Sequence, residues 1–443
     1  MDAAVAQTLF LAGCLSSLLI LFIRKTMYQR DKLPPGPTPL PFIGNLLQIN
    51  TNGTAKGLIK VSLMVSFSNG EIWKQTRQFS VMTLKDFGVG KRGIQERIQE
   101  EAQFLVENLR KTKELSIDPN FFFSQAVSNV ICSIVFGNRF DYDDKEYLHL
   151  LQMIDEIFCG ISSIWGQLFD IFTSIMKHLP GPHNRIRRCF EVLEEYIAKK
   201  VKQNQETLDL NSPRDFIDSF LIKVEQEKQN SSSYFHVKNL IATVLILFFA
   251  GTEPPTTTLR YAFLILLKHP EVEERLHQEI DHVIGRQHSP CHEDRNKMPY
   301  TNAVIHEIQR FIGLVPLNVP HKVTQDTHFR GYMIPKGTRV RPMLYSVLHD
   351  PSQFSHPENF NPGHFLDERG NFKKSDAFLP FSAGKRMCMG EGLARVELFV
   401  FFVSILQNFS LKSNTPPKDI DISPAVSNFG NIPHLYEISF VPR

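Results

Sequence analysis

A mainly α-helical body with a minor β portion late in the chain, set behind a single membrane-spanning segment, is the fold class this sequence predicts. Three observations predict it. From residue 94 to residue 283, apolar and charged side chains recur at helical spacing. Between residues 323 and 340 the texture changes to short β-prone runs separated by Gly331-Tyr332 and Pro335-Lys-Gly337, which reads as a small sheet. At the other end, residues 3–23 are apolar apart from Gln7, Thr8, Ser16 and Ser17.

That first run would be about 30 Å long as a helix, the thickness of a bilayer core. Arg24, Lys25, Arg30 and Lys32 follow at once. Cations beside one end of a span hold that end in the cytosol. Residues 1–24 are therefore expected to anchor the chain, with its body facing the cytosol. A cleaved signal peptide is the rival reading; the length of the run, with its charge cluster only after it, argues against that. Residues 25–50 read as a basic, proline-rich hinge. Its Pro34-Pro35-Gly36-Pro37 fixes φ repeatedly and stiffens the chain. The body is expected to occupy 51–443.

Within the body, residues 95–109 and 191–205 alternate as amphipathic helices. Residues 179–182 and 211–213 carry loop signals. Residues 240–251 form a dense apolar run between Lys238 and Glu253. A dozen residues cannot span a bilayer, so this reads as a buried central helix. Further helices are expected at 259–285 and 298–312. Residues 350–380 read as loops, with Pro351, Pro357 and Pro362. One long helix should follow Cys388, and short strands should close the chain.

The chain has 443 residues, 42% of them apolar, enough for a large core. Its 49 basic and 46 acidic residues leave a formal charge of only +3, so no nucleic-acid footprint is present. The six cysteines (Cys14, Cys132, Cys159, Cys189, Cys291, Cys388) form no C-x-x-C pair. Neither a zinc site nor a disulfide framework is suggested, which fits a reducing compartment.

The most informative window is Phe381-Ser-Ala-Gly384-Lys-Arg386-Met-Cys388-Met-Gly390. It holds one thiol in a glycine-punctuated loop, with a cation two residues before it and an apolar helix directly after. Gly384 and Gly390 let the backbone pass close to a flat cofactor. Arg386 can reach a cofactor carboxylate. The helix after Gly390 would aim its positive end at the sulfur and favour a thiolate. A lone cysteine is more often an inert core thiol; the full spacing F-x-x-G-x-R-x-C-x-G reverses that.

Other motifs stand in the same chain. Glu307 and Arg310 lie three apart on one helix face. Phe360-Asn-Pro362-Gly-His364-Phe365 offers His364 as a third partner. Trp73 and Arg77 sit one helical turn apart. Phe248-Phe-Ala250-Gly251-Thr252-Glu253 crowds the central run, and His321 follows Pro316-Leu-Asn-Val-Pro320.

Together these motifs resemble the cytochromes P450, from the anchor to the C-terminus. Stretches such as Ala126-Val-Ser-Asn-Val-Ile-Cys132-Ser and Met298-Pro-Tyr-Thr-Asn-Ala-Val-Ile-His-Glu307 are similar to the microsomal family 2 enzymes, and within them to subfamily J. The resemblance implies haem b with the Cys388 thiolate as axial ligand, in a loop framed by Phe381, Gly384, Arg386 and Gly390. It implies propionate contacts from Trp73, Arg77, Arg386 and His321, and a structural network of Glu307, Arg310 and His364. Ala250 and Gly251 would leave a groove for O₂. Glu253 and Thr252 would serve proton delivery. The implied activity is monooxygenation of apolar substrates in the endoplasmic reticulum membrane, including epoxidation or hydroxylation of polyunsaturated fatty acids such as arachidonate, or of xenobiotics. NADPH-cytochrome P450 reductase would supply electrons, with cytochrome b5 as a further partner. Lys74, Lys85, Lys91, Arg92 and Lys385 would offer the reductase a basic face.

The chain departs from the family pattern twice. Pro254 stands where the family has a threonine, and Pro255 follows. Fewer than thirty residues separate Gly44-Asn45 from Trp73, where the family has several dozen, so the first β-sheet is expected to be largely missing. Two alternatives follow: a P450-like hydroperoxide isomerase, which needs no threonine relay, or a truncated or diverged form without monooxygenase activity.

Overall fold

The computed structural model describes residues 68–89 and 92–443. The expected anchor, hinge and linking piece lie outside the described residues. Residues 317–342 belong to one compact unit, and residues 68–316 and 343–443 to another.

The larger unit is helical, as expected. Its helices are α1 (Gly70–Asp86), α2 (Arg92–Lys111), α3 (Asn120–Val135), α4 (Lys145–Ser162), α5 (Ile164–Ile171), α6 (Thr173–Met176), α7 (His183–Glu206), α8 (Phe216–Gln226), α9 (Val237–Lys268), α10 (Pro270–Val283), α11 (Pro299–Ile312), α12 (Leu344–Leu348) and α13 (Glu391–Asn408). Caps set several starts. Asp144 accepts from the backbone N–H of Glu146 and Tyr147 at α4, and Asp215 from that of Asp218 at α8. Pro270 and Pro299 open α10 and α11, where a missing N–H costs nothing.

The central helix α9 is apolar on all sides and packs against α3, α7, α11 and α13. It is long and apolar enough to cross a membrane, yet most of that stretch is buried inside the fold. It is core, as expected of residues 240–251. One expectation fails here. Residues 259–268 do not begin a new helix; α9 runs straight through Pro254 and Pro255 to Lys268. The breaker signal loses because packing on several sides holds the helix together. Nearby hydroxyls also cover two helical carbonyls: Thr256 Oγ1 donates to Thr252 O and Thr258 Oγ1 to Pro254 O, each at 2.7 Å.

In the smaller unit, the small sheet expected at 323–340 resolves into two separate antiparallel pairs. Strand β1 (His321–Lys322) pairs with β4 (Arg339–Val340), and β2 (Thr327–Phe329) with β3 (Tyr332–Ile334). The β2–β3 hairpin turns at Arg330 and Gly331, both with positive φ, as a two-residue turn of matching twist requires. No third strand joins either pair among the described residues, and β2 is exposed throughout. The closing strands fall in the larger unit: β5 (Phe409–Lys412) with β8 (Ser439–Pro442), and β6 (Pro424–Ser427) with β7 (Asn431–Pro433).

Candidate cofactor site

The segment 381–390 is a tight loop closed on itself. The Cys388 N–H donates to Phe381 O at 2.9 Å, and the Met387 N–H to Gly384 O at 3.1 Å. A 3₁₀ turn, Gly384–Arg386, lies between. Gly384 has φ +71°, a conformation that favours glycine, and a Cβ there would meet no atom within 4 Å. Bare backbone therefore faces open space. Gly390 is the N-cap of α13, so the helix amides start beside the sulfur.

Cys388 keeps accessible surface, although the atoms crowded around it push the metal-free thiol above its ordinary value. Hydrogen bonding from the Gly390 and Glu391 amides and the charge of Arg77 pull the other way, while the Glu391 carboxylate adds to the rise. The helix N-terminus thus acts in the expected sense, but burial outweighs it until a cation is present.

Helix α1 brings Trp73 and Arg77 to this loop. Arg77 Nη2 donates to Met387 O at 2.6 Å. The Arg386 guanidinium stacks 3.9 Å over the Trp73 ring and donates to Ser68 O at 2.9 Å and Asn69 Oδ1 at 3.3 Å. Trp73 Nε1 is buried without a hydrogen-bond partner. Among the described residues, neither arginine is paired with an acid. Burial, and for Arg386 the neighbouring Arg77 charge, lowers both guanidinium pKa values. An orphaned indole N–H beside two unneutralised cations is a receptor for carboxylates. The donor set therefore fits haem: one thiol for iron, and cationic and indole donors for acidic tails. His321 lies in the smaller unit, on β1 opposite Val340.

The network expected of Glu307, Arg310 and His364 is present. Arg310 Nε and Nη2 each donate to a Glu307 oxygen at 2.7 Å, with both side chains fully buried. Arg310 also reaches Leu348 O at 2.9 Å, Pro357 O at 2.8 Å and Asn359 O at 3.2 Å. Glu307 accepts from the Asn361 N–H at 2.9 Å. His364 Nδ1 lies 3.1 Å from Glu307 Oε2, and its Nε2 lies 2.6 Å from Ser355 O. The network fixes residues 348–364 to α11.

On α9 the picture differs from the expectation. Ala250 is exposed and Pro254, one turn on, is half-buried. Gly251 leaves no groove: a Cβ there would meet Ile131 Cγ1 at 2.8 Å, so its missing side chain is filled by α3. Thr252 and Glu253 are turned into the core. The Thr252 hydroxyl is buried without a partner. Glu253 is raised to about 8, first by burial, then by Asp155; Arg260 opposes both. Sequence reasoning missed Asp155 and Arg260 beside Glu253, and Ser68 and Asn69 as partners of Arg386. Asp155 comes from α4 and Ser68 and Asn69 from the stretch just before α1, while Arg260 lies two turns along α9, beyond the two prolines that signal a break.

A mostly helical fold that presents one cysteine at a helix N-terminus, beside a carboxylate receptor, defines a haem-thiolate protein. The comparisons with known proteins agree. The Cytochrome P450 family model matches residues 62–440. Cytochrome P450 2G1 of Oryctolagus cuniculus is 50% identical over 494 residues, covering all of both chains. Cytochromes P450 2A13 and 2A6 of Homo sapiens are each 52% identical, covering 98% and 97% of both chains. The chain belongs to the cytochrome P450 family, whose members are monooxygenases using haem held by a cysteine thiolate. Its relatives lie in family 2, in subfamilies 2A and 2G; the expected subfamily J finds no support. The alignment of 494 positions with a chain of 443 leaves at least 51 positions facing gaps in this chain.

Proposed function

We propose that this chain is a membrane-anchored monooxygenase that inserts one oxygen atom from O₂ into an apolar small molecule. The carrying observation is the meeting of Cys388 with Trp73, Arg77 and Arg386 around one loop. Haem, when bound, supplies oxygen activation, which thiolate donation favours.

The chain's own residues hold and orient. Cys388 ligates from a loop braced by Phe381, with Gly384 and Gly390 giving the backbone room. Arg77, Arg386 and Trp73 engage the propionates, and His321 is assigned the same role from the family resemblance alone. Glu307, Arg310 and His364 brace the stretch preceding the thiolate loop. Ala250 and Pro254 line the exposed side of α9. Thr252 and Glu253 face the core, so proton delivery through them requires a change of side-chain position.

The anchor at 1–24 places the body on the cytosolic face of the endoplasmic reticulum. Ile164, Trp165, Ile175 and Leu179, exposed on and just after α5 and α6, support a second contact with lipid. NADPH-cytochrome P450 reductase, with or without cytochrome b5, supplies electrons in this reading, and Lys74, Lys85 and Lys385 belong to the face offered to it. The polyunsaturated fatty acid substrates rested on the subfamily J resemblance; the substrate class here is apolar small molecules.

The test is a reduced, carbon-monoxide difference spectrum of the haem-supplied full chain, followed by NADPH-dependent turnover with reductase. A thiolate-type band lost in Cys388→Ala, with product in the native chain, is the expected result. No band in folded native protein overturns the reading and leaves the truncated, inactive form, which the gapped alignment favours. A thiolate band with hydroperoxide turnover but no NADPH-driven product selects the isomerase, which Pro254 favours.

A further inference from the structure

Between α10 and α11 the chain folds a seven-residue turn, 288–294, that the haem site does not use. Its hub is one carboxylate oxygen. Asp294 Oδ2 lies 3.1 Å from His288 Nε2 and 3.1 Å from Cys291 Sγ, and accepts the Cys291 N–H at 3.0 Å. The ligand-type atoms of His288, Cys291 and Asp294 all lie within 4.8 Å of one another. The Glu293 carboxylate also reaches the Cys291 thiol.

The turn is fixed from outside. Gln99 of α2 donates to Pro290 O at 2.8 Å. Gln407 of α13 donates to Gly285 O at 2.7 Å and His288 O at 2.8 Å. The His292 N–H donates to Gln95 Oε1 at 3.2 Å. A cleft of about 220 Å³ borders His288 and leaves it open to solvent ions.

Two hydrogens, from a thiol and an imidazole, are thus aimed at a single oxygen. One divalent cation can replace both: it binds the carboxylate, takes the neutral imidazole and ionises the thiol. The nitrogen, sulfur and oxygen set excludes calcium and magnesium, which take oxygen ligands. It suits a borderline metal of tetrahedral habit. We propose that His288, Cys291 and Asp294, with Glu293 or water as the fourth ligand, form a zinc-type site that clasps α2 and α13 to the α10–α11 connection. Cysteine-pair spacing could not reveal it, because the pattern is H-x-x-C-x-x-D.

The probe is cobalt(II), titrated into the haem-loaded full chain, in which Cys388 is engaged. The expected result is one equivalent bound, a near-ultraviolet thiolate-to-cobalt band, and displacement by zinc. His288→Gln changes a half-exposed ring and should spare the fold; Cys291→Ser is nearly isosteric. Each should lose the band and weaken binding beyond the roughly 10–100-fold that an outer-shell change costs. Cys159→Ser should keep both. Zinc should raise the melting temperature of the native chain and not that of Cys291→Ser. Failure of the native chain to bind one equivalent, or a band that survives Cys291→Ser, overturns the proposal.

Discussion

Removing Glu307 should unbalance a fully buried charge in the larger unit. Arg310 has no exposed side-chain surface, and two of its donors end on Glu307. Breaking a buried pair from one side costs about 3–5 kcal/mol, because the remaining charge is stranded. Three backbone carbonyls still contact Arg310, which places Glu307→Ala near the lower end, at about 3 kcal/mol. Against a total of about 5–15 kcal/mol that is a large fraction. Glu307→Gln keeps an acceptor but loses the charge, and should cost about 1.5–3 kcal/mol. The double variant Glu307→Leu/Arg310→Met should cost much less than the sum of its parts, since neither charge is left unpaired. The assay is the urea midpoint of folding, read by proteolytic resistance. A Glu307→Ala midpoint equal to that of the native chain, or strict additivity in the double variant, would refute the reasoning.

Three further outcomes follow from the geometry. Both His364 nitrogens face acceptors, and its hydrogen bond to Glu307 is the first cause of a pKa above the ordinary value. Its stabilisation should be complete below about pH 6.5 and fade as pH rises through the raised folded value; the midpoint difference between native chain and His364→Gln, followed with pH, checks this, and a difference growing with pH contradicts it. Gly251→Ala drives a Cβ against Ile131; overpacking of about 1–3 kcal/mol should exceed the helix gain of about 1 kcal/mol. The penalty should shrink when measured in an Ile131→Ala background, by thermal unfolding. Pro254→Thr restores an N–H and a hydroxyl on the exposed side of α9, and should raise both melting temperature and the coupling of NADPH consumption to product; unchanged coupling in haem-loaded protein would mean the hydroxyl does not limit turnover.

The parts legible in the sequence were those whose spacing is local. The thiolate loop, the Trp73–Arg77 turn and the Glu307–Arg310 pair each lie within ten residues, and backbone geometry alone brings their members together. The central helix was legible from its apolar density, but its length was not. Pro254 and Pro255 signal a break, and only packing against neighbours, invisible in one-dimensional spacing, overrides it. The faces of α9 were misassigned for a related reason. A helix turns about 100° per residue, so Thr252 lies on the opposite side from Ala250, and Glu253, about 60° round from Ala250, falls on the buried edge, whereas Pro254 shares its side. Gly251 looked like open space for a ligand; nothing in sequence ties it to Ile131, 120 positions earlier. The late strands were placed correctly, but their pairing into separate ladders depends on which backbones meet.

The two adjacent prolines in α9 leave a mark on the backbone as well as on the side chains. Neither imide nitrogen carries a hydrogen, so the carbonyl oxygens of Ala250 and Gly251 lack the donor that every other turn of a helix provides. The longest helix among the described residues therefore carries, at mid-length, two consecutive carbonyls without the usual i+4 donor. Beside Ala250 this gives the rod's exposed flank a polarity that owes nothing to any hydroxyl, and makes that spot a natural resting place for an ordered solvent molecule.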